Sequence, residues 1–241
     1  LSRLRHSRLS FPIDGTVDPR FEAVYQAFSD NFTKRGEVGA SLCLVVAGKV
    51  VLDLWGGWQD EAHQRPYRHD TLVNVFSVGK AVAALAVARL VGAGLLDYDE
   101  PVARTWPEFA QAGKTAITVR QLVSHQAGLP ANGTTLPAGA IFDWDAMCDA
   151  LAAHPPWWEP GQGHGNHVNT SRFGLGFQLT QPERPPGPNP GAFEHFGAGG
   201  SLGFCDPDAG LALAYAINTM APRWQNPRNQ ALLDASYAAL N

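Results

Sequence analysis

The chain has 241 residues, 45% of them hydrophobic, with 25 glycines and 18 prolines. That is enough to bury a sizeable core, either as one large domain or as two interleaved ones. Eighteen basic and 22 acidic residues give a net charge of -4 spread without long runs, which provides no field for gathering nucleic acid or anionic lipid, so neither partner is expected.

The N-terminal "LSRLRHSRLS" is basic but has no apolar run behind it, so no signal peptide is read there. From Asp18 to Arg35, Phe21, Val24, Tyr25, Phe28 and Phe32 recur at three and four, which predicts an amphipathic helix ended by Gly36. The period then changes: "GASLCLVVAGKVVLDLWGGW" holds two β-rich runs around Gly48 and reads as a hairpin. A polar loop follows through Arg68. Ser77 to Gly94 is helical by its alanine content and is closed by Gly92 and Gly94. Its apolar run, "AVAALAVARLVGAGLL" from Ala81 to Leu96, is broken by Arg89 and is short for a bilayer span, so it reads as a buried core helix.

Further helices are expected at Val119 to His125 and Trp144 to Ala153. "HPPWWEPGQGHG" admits no regular element. Strands are expected at Phe173 to Thr180, Phe193 to Phe204 and Leu211 to Asn218, with a Pro-rich loop after the first, and a helix at Asn229 to Leu240. The order β, α, β, then a closing helix predicts an α/β (α+β) architecture: an antiparallel sheet built from both ends of the sequence, with flanking helices. The boundaries expected are 1–75 with 170–241 for the sheet domain and 76–169 for a reduced helical region carrying the nucleophile helix. Cys43, Cys148 and Cys205 form no C-x-x-C pair and read as reduced, buried thiols of a cytoplasmic protein.

The residues that suggest chemistry begin at "NVFSVGKAV", 74 to 82. Ser77 and Lys80 stand three apart at the head of a helix, so the hydroxyl and the amine share a face. A serine hydroxyl becomes a useful nucleophile when a neighbour takes its proton. A lysine does this only as the uncharged amine, a form that burial against "AVAALAVA" is expected to favour. With ten serines and four lysines in the chain, the S-x-x-K spacing by itself carries little. Three further stretches support it: "GLLDYDEPVARTWPEF" at 94 to 109, "ITVRQLVSHQAGLP" at 117 to 130 and "HFGAGGSLGFCDPDAGLALAYAINTM" at 195 to 220.

Together these four segments cover about two-thirds of the chain and resemble the serine β-lactamase and penicillin-binding-protein-like family. The likeness is greatest to its esterase branch, the class C-like, family VIII-type carboxylesterases. The resemblance implies a serine hydrolase that cleaves short-chain esters, or amides, through an acyl-enzyme, with weak or absent β-lactamase activity and neither metal nor organic cofactor. It implies Ser77 as nucleophile and Lys80 as its base, with the N–H groups of Ser77 and Ala198 as the oxyanion hole. "HFG", His195 to Gly197, stands where the family has its third motif on a strand facing the nucleophile. His195, Gly197, Phe76, Gln126 and Trp158 are the expected substrate-binding residues.

One departure matters. The family carries a tyrosine that partners the lysine, and in the esterase branch it follows a W-x-P-G-x-x-H-G stretch. Here "WWEPGQGHG" is followed by Asn166, and set against the family a tyrosine-bearing block is lacking between about Gly165 and Phe173, which fits a shortened natural or engineered variant, a processed chain, or a sequence with an internal segment left out. His164 and His167 are the nearest alternative bases, set against a plainer reading as solvated loop histidines. Tyr98 falls where the family varies. Without the tyrosine, a slow hydrolase or a relative that is acylated without efficient turnover is expected, because general acid–base help is commonly worth about a hundred- to ten-thousand-fold. "GGSLG" at 199 to 203 also fits the G-x-S-x-G elbow, but no histidine follows His195, so the required order fails. "HGNH" lacks the helix and third ligand of a zinc site.

Overall fold

The computed structural model of the chain describes residues 2–3, 11–133, 135–162 and 172–240. The chain parts into two compact units, Leu1–Ala81 with Leu179–Asn241, and Val82–Gln178. The first boundary falls after Ala81, so Ser77 and Lys80 belong with the sheet, not with the helical block in which the sequence reading grouped them.

In the first unit the strands β1 (Ser2–Arg3), β2 (Ile13–Val17), β3 (Gly39–Val46), β4 (Lys49–Gly57), β7 (Phe193–Phe196), β8 (Leu202–Asp206) and β9 (Leu211–Ile217) lie in the order β1-β2-β4-β3-β9-β8-β7. Their pairings are antiparallel. The β3–β9 ladder, with Leu42 opposite Tyr215 and Leu44 opposite Leu213, joins the two ends of the sequence at the centre of the sheet. Alternation along β9 buries Leu211, Leu213, Tyr215 and Ile217 on one face, as the strand period of two requires. Helices α1 (Glu22–Lys34) and α5 (Pro227–Ala238) contribute Val24, Tyr25, Phe28, Leu232 and Leu233 to the same core.

Phe193 to Phe204, read from sequence as one strand, is a hairpin, because Gly199 and Gly200 take φ of 83° and 117° and turn the chain between β7 and β8. An L side chain rarely adopts such angles. β2 was missed as a strand; it is five residues long with Gly15 at its middle.

The second unit has its own small core of Val102, Phe109, Ile117, Val119 and Ala127. Helix α3 (Val119–Val123) starts at a capping box between Thr118 and Gln121, and α4 (Trp144–Ala153) is capped by the Asp143 carboxylate on the Ala146 N–H. Both match the expected positions. β5 (Phe173–Gly174) and β6 (Phe177–Leu179) make a short antiparallel turn where a longer strand was expected; Leu175 and Gly176 carry positive φ between them.

Helix α2 (Val78–Gly92) forms where its alanines predict, yet it is not the buried core helix expected. Ala81 and Ala84 are buried, while Val82 and Leu85 are 62% and 54% exposed. Alanine-rich composition sets helicity; burial requires a covering element. Cys43, Cys148 and Cys205 are free thiols, half-buried rather than buried.

Candidate active site

The loop before α2 is shaped by its own side chains. Asn74 Oδ1 accepts the Phe76 N–H at 2.8 Å, and Phe76 has φ of 48°. A bulky aromatic residue in the left-handed region is uncommon and strained. The first turn of α2 then closes with three-residue bonds, Gly79 N–H to the Phe76 carbonyl and Lys80 N–H to the Ser77 carbonyl, both at 3.0 Å. This winding puts Ser77 and Lys80 on one face, where Lys80 Nζ donates to Ser77 Oγ at 2.7 Å. Lys80 is exposed, as are Val82 and Leu85 of α2, so the greasy enclosure expected for its amine is not found among the described residues.

The hairpin β7–β8 faces this turn. A Cβ on Gly197 would run into the Val75 carbonyl oxygen, and one on Gly203 would lie 3.4 Å from Val78 Cγ1. Gly197 allows this close approach, which a side chain there would block, whereas a Cβ on Gly203 would make ordinary contact. His195, opposite Gly203 in the ladder, is buried, and its Nδ1 donates to the Phe196 carbonyl at 2.9 Å. That bond fixes the proton on Nδ1, because a carbonyl only accepts. Burial pushes the imidazole below its usual range against the effect of this hydrogen bond, and the Lys80 charge lowers it further, so His195 favours its neutral form. Among the described residues the N–H groups of Ser77 and Ala198 have no hydrogen-bond acceptor. The arrangement puts a hydroxyl in contact with an amine and packs the hairpin turn that carries Ala198 against the same loop.

Of the residues expected at the site, Phe76, Ser77, Lys80, His195, Gly197 and Ala198 fall within the first unit. Gln126 and Trp158 fall in the second, on neighbouring loops. The Gln126 carbonyl accepts from Gly161 N–H at 2.9 Å and Trp157 N–H donates to the Gly128 carbonyl at 2.8 Å. Trp158 lines a cavity there with Gln121, Pro156 and Pro160. His164 and His167 lie outside the described residues.

The five tyrosines have other commitments. Tyr25 is in the α1 core, and Tyr67 donates to Ser41 Oγ at 3.5 Å. Tyr98 lies under the Arg120 guanidinium. Tyr215 donates to Glu37, and Tyr237 to Asp206.

Sequence reasoning missed the residues that hold the Gly197–Gly200 turn. Ala221 N–H donates to the Gly199 carbonyl at 2.9 Å, and Asn229 Nδ2 donates to the Gly200 carbonyl at 3.1 Å. Arg228 Nη1 ties the Thr219 carbonyl at 2.8 Å. The available signal was "NPRN", 226 to 229, which reads as a helix cap and is one: Asn226 and Asn229 form a capping box.

The chain is 43% identical over 143 residues to Esterase/beta-lactamase LipL of Mycobacterium tuberculosis, covering 59% of this chain and 33% of that protein. It is 33% identical over 175 residues to Esterase EstB of Burkholderia gladioli, covering 64% of this chain and 43% of that protein. The chain thus spans less than half the length of these curated relatives. A crystal structure of a family VIII carboxylesterase superposes with a TM-score of 0.86 at 28% identity, covering 95% of this chain and all of that one. A penicillin-binding protein homolog from Caulobacter crescentus gives the same values. Residues 21–170, which carry α1, the β3–β4 hairpin and the Ser77–Lys80 turn, match the Beta-lactamase family; more than half of the sequence is covered, and the chain belongs to that family.

Proposed function

We propose that the chain is a serine esterase acting on short-chain esters through an acyl-enzyme, with β-lactamase activity weak or absent. The reading rests above all on the 2.7 Å bond between Lys80 Nζ and Ser77 Oγ. Lys80, as the free amine, takes the Ser77 proton while Oγ bonds to the ester carbonyl carbon. The carbonyl oxygen becomes an oxyanion held by the Ser77 and Ala198 N–H groups. Lys80 returns the proton to the departing alkoxide as the carbon–oxygen bond breaks, leaving the acyl group on Oγ. Water then bonds to the acyl carbon, loses its proton to Lys80, and Oγ leaves with that proton, restoring both groups. His195 and Gly197 border the reacting carbon. No step calls for a metal or cofactor.

A second reading has its own support. Lys80 is exposed and the family's tyrosine has no counterpart at its usual place, so acylation could outrun deacylation. A fluorophosphonate probe and p-nitrophenyl butyrate decide between them. The esterase reading expects stoichiometric labelling at Ser77, lost in Ser77→Ala, together with steady release of p-nitrophenol. Labelling with one burst and no steady phase supports the acylated, non-cycling relative. No labelling at Ser77 sinks both.

A further inference from the structure

We propose that the cavity beside the nucleophile turn is an acyl subsite, which takes the hydrocarbon chain of the substrate's acid and not of its alcohol. The inference rests on the esterase reading above and extends it to substrate choice. The cavity, of about 300 Å³, is lined by Leu72, Val73, Asn74, Phe76, Ala198 and the segment Ile217 to Met220. It shares two residues with the site: Phe76, which precedes the nucleophile, and Ala198, whose N–H is a proposed oxyanion donor.

Its chemistry is that of hydrocarbon. Most of the polar side-chain atoms on its wall are occupied within the protein: Asn74 Oδ1 accepts the Phe76 N–H, Asn218 Nδ2 donates to the Trp58 carbonyl at 2.7 Å, and the Thr219 hydroxyl donates to Asn218 Oδ1 at 3.2 Å, while Asn74 is exposed and keeps its Nδ2 for solvent. Leu72, Val73, Phe76 and Met220 remain to meet a ligand, while the Ile217 side chain is buried in the core. Leu72 is 97% exposed, Met220 57% and Phe76 44%. Three large apolar side chains left in water around one concavity next to a nucleophile mark a binding surface.

The acyl side follows by elimination. In the tetrahedral intermediate one substituent is Ser77 Oγ and a second is the oxyanion on the two N–H groups. The third, the leaving oxygen, must face Lys80 to receive its proton. Lys80 does not line the cavity, so the acyl chain is the substituent left to enter it. The volume is at the lower end of small-molecule sites, about 300–1,000 Å³, which suits a chain of a few carbons. Each methylene buried there is expected to raise the acylation rate about fourfold until the cavity is full.

The test measures acylation, so it does not depend on deacylation. Burst rate constants are compared for p-nitrophenyl acetate through octanoate, and single-turnover rate constants for methyl through hexyl acetate, in the full chain and in Met220→Trp and Leu72→Trp. Each ratio is internal to one variant, and Leu72 is too exposed for its replacement to unfold the chain. Both tryptophans are expected to lower the hexanoate-to-acetate ratio at least tenfold, with the hexyl-to-methyl ratio of the alcohol series unmoved. A shift in the alcohol series, or no shift in either, overturns the subsite. A wild-type chain not labelled at Ser77 overturns the esterase reading and the subsite with it.

Discussion

Asn229 Nδ2 donates to the Gly200 carbonyl at 3.1 Å and to the Trp224 carbonyl at 2.7 Å, in a position with no exposure to solvent. The first bond fastens the far end of the turn that presents the Ala198 N–H, and the second fastens the loop that covers it. Replacing the amide by a carboxyl in Asn229→Asp removes the donor and sets an acceptor against two carbonyls. Stability should fall by about 1–3 kcal/mol. Loss of one well-placed oxyanion donor costs about a hundred- to a thousandfold, and misplacing one by a loosened turn should cost about tenfold. The expected pattern with p-nitrophenyl butyrate is a lower kcat at unchanged KM, with a matching loss of affinity for a boronate that mimics the oxyanion. A fall in melting temperature with kcat intact would show that Asn229 only supports the fold.

Gly197 packs directly against the backbone of the loop before α2. Because an added methyl would run into the Val75 carbonyl oxygen, Gly197→Ala must push β7 away from the turn, a kind of overpacking that costs about 1–3 kcal/mol. Acylation of Ser77 should fall by more than tenfold, measured as the rate of fluorophosphonate labelling. Gly48→Ala serves as control: its Cβ would meet nothing within 4 Å, so only backbone strain from its φ of 74° is expected.

What could be read from letters and what could not divide along physical lines. The period of α1, the hairpin about Gly48 and the S-x-x-K turn are local, and each matched. The β7–β8 hairpin was not read because "FEHFGAGGSLGF" is apolar on both sides of glycines whose φ values decide the turn. The exposure of α2 was illegible because an apolar face is written the same way whether or not anything covers it. Asn229 was illegible for another reason: its capping role, which is local, hides its long-range bond to Gly200. Ser77 and Lys80 were legible as a pair, while the open setting of Lys80 was not.

Glu194 is 4% exposed, and its Oε2 has no hydrogen-bond partner among the described residues. Burial raises its carboxyl to about 8, against the pull of Arg184. The native state therefore holds a proton that the unfolded chain releases near the ordinary value of 4.5. Between these two limits the native state binds more protons, so stability falls as pH rises. The cost is absent below about pH 4.5 and complete above about pH 8, and amounts to a few kcal/mol at most. Glu194→Gln should remove that slope and stabilise the chain at pH 8.5, as read by urea unfolding at pH 5, 7 and 8.5. Parallel curves for the two proteins would sink the assignment.

Glu37 and Arg228 form a buried ion pair at 3.2 Å. Arg228 also donates to the carbonyls of Arg35, Gly36 and Thr219 at 2.9, 2.7 and 2.8 Å, while Tyr215 donates to the same Glu37 oxygen at 2.5 Å. Burial outweighs these partners and lifts the Glu37 carboxyl to about 7, so at neutral pH it is already part neutral. This makes the pair asymmetric. In Glu37→Gln an amide oxygen still accepts from Tyr215 and Arg228, and the guanidinium keeps its three carbonyls, so a loss of about 1 kcal/mol is expected. In Arg228→Ala a buried carboxyl loses its counter-charge and three carbonyls lose their donor, a change of the kind that costs about 3–5 kcal/mol. Arg228→Lys keeps the charge but not the planar fork, and should fall between. Because Arg228 holds the Thr219 carbonyl, its two variants should also slow acylation, whereas Glu37→Gln should not. Urea unfolding and labelling of Ser77 on the three proteins give that ranking directly, and an equal loss in Glu37→Gln and Arg228→Ala would show that the charge pair, not the carbonyl clamp, holds this end of the sheet.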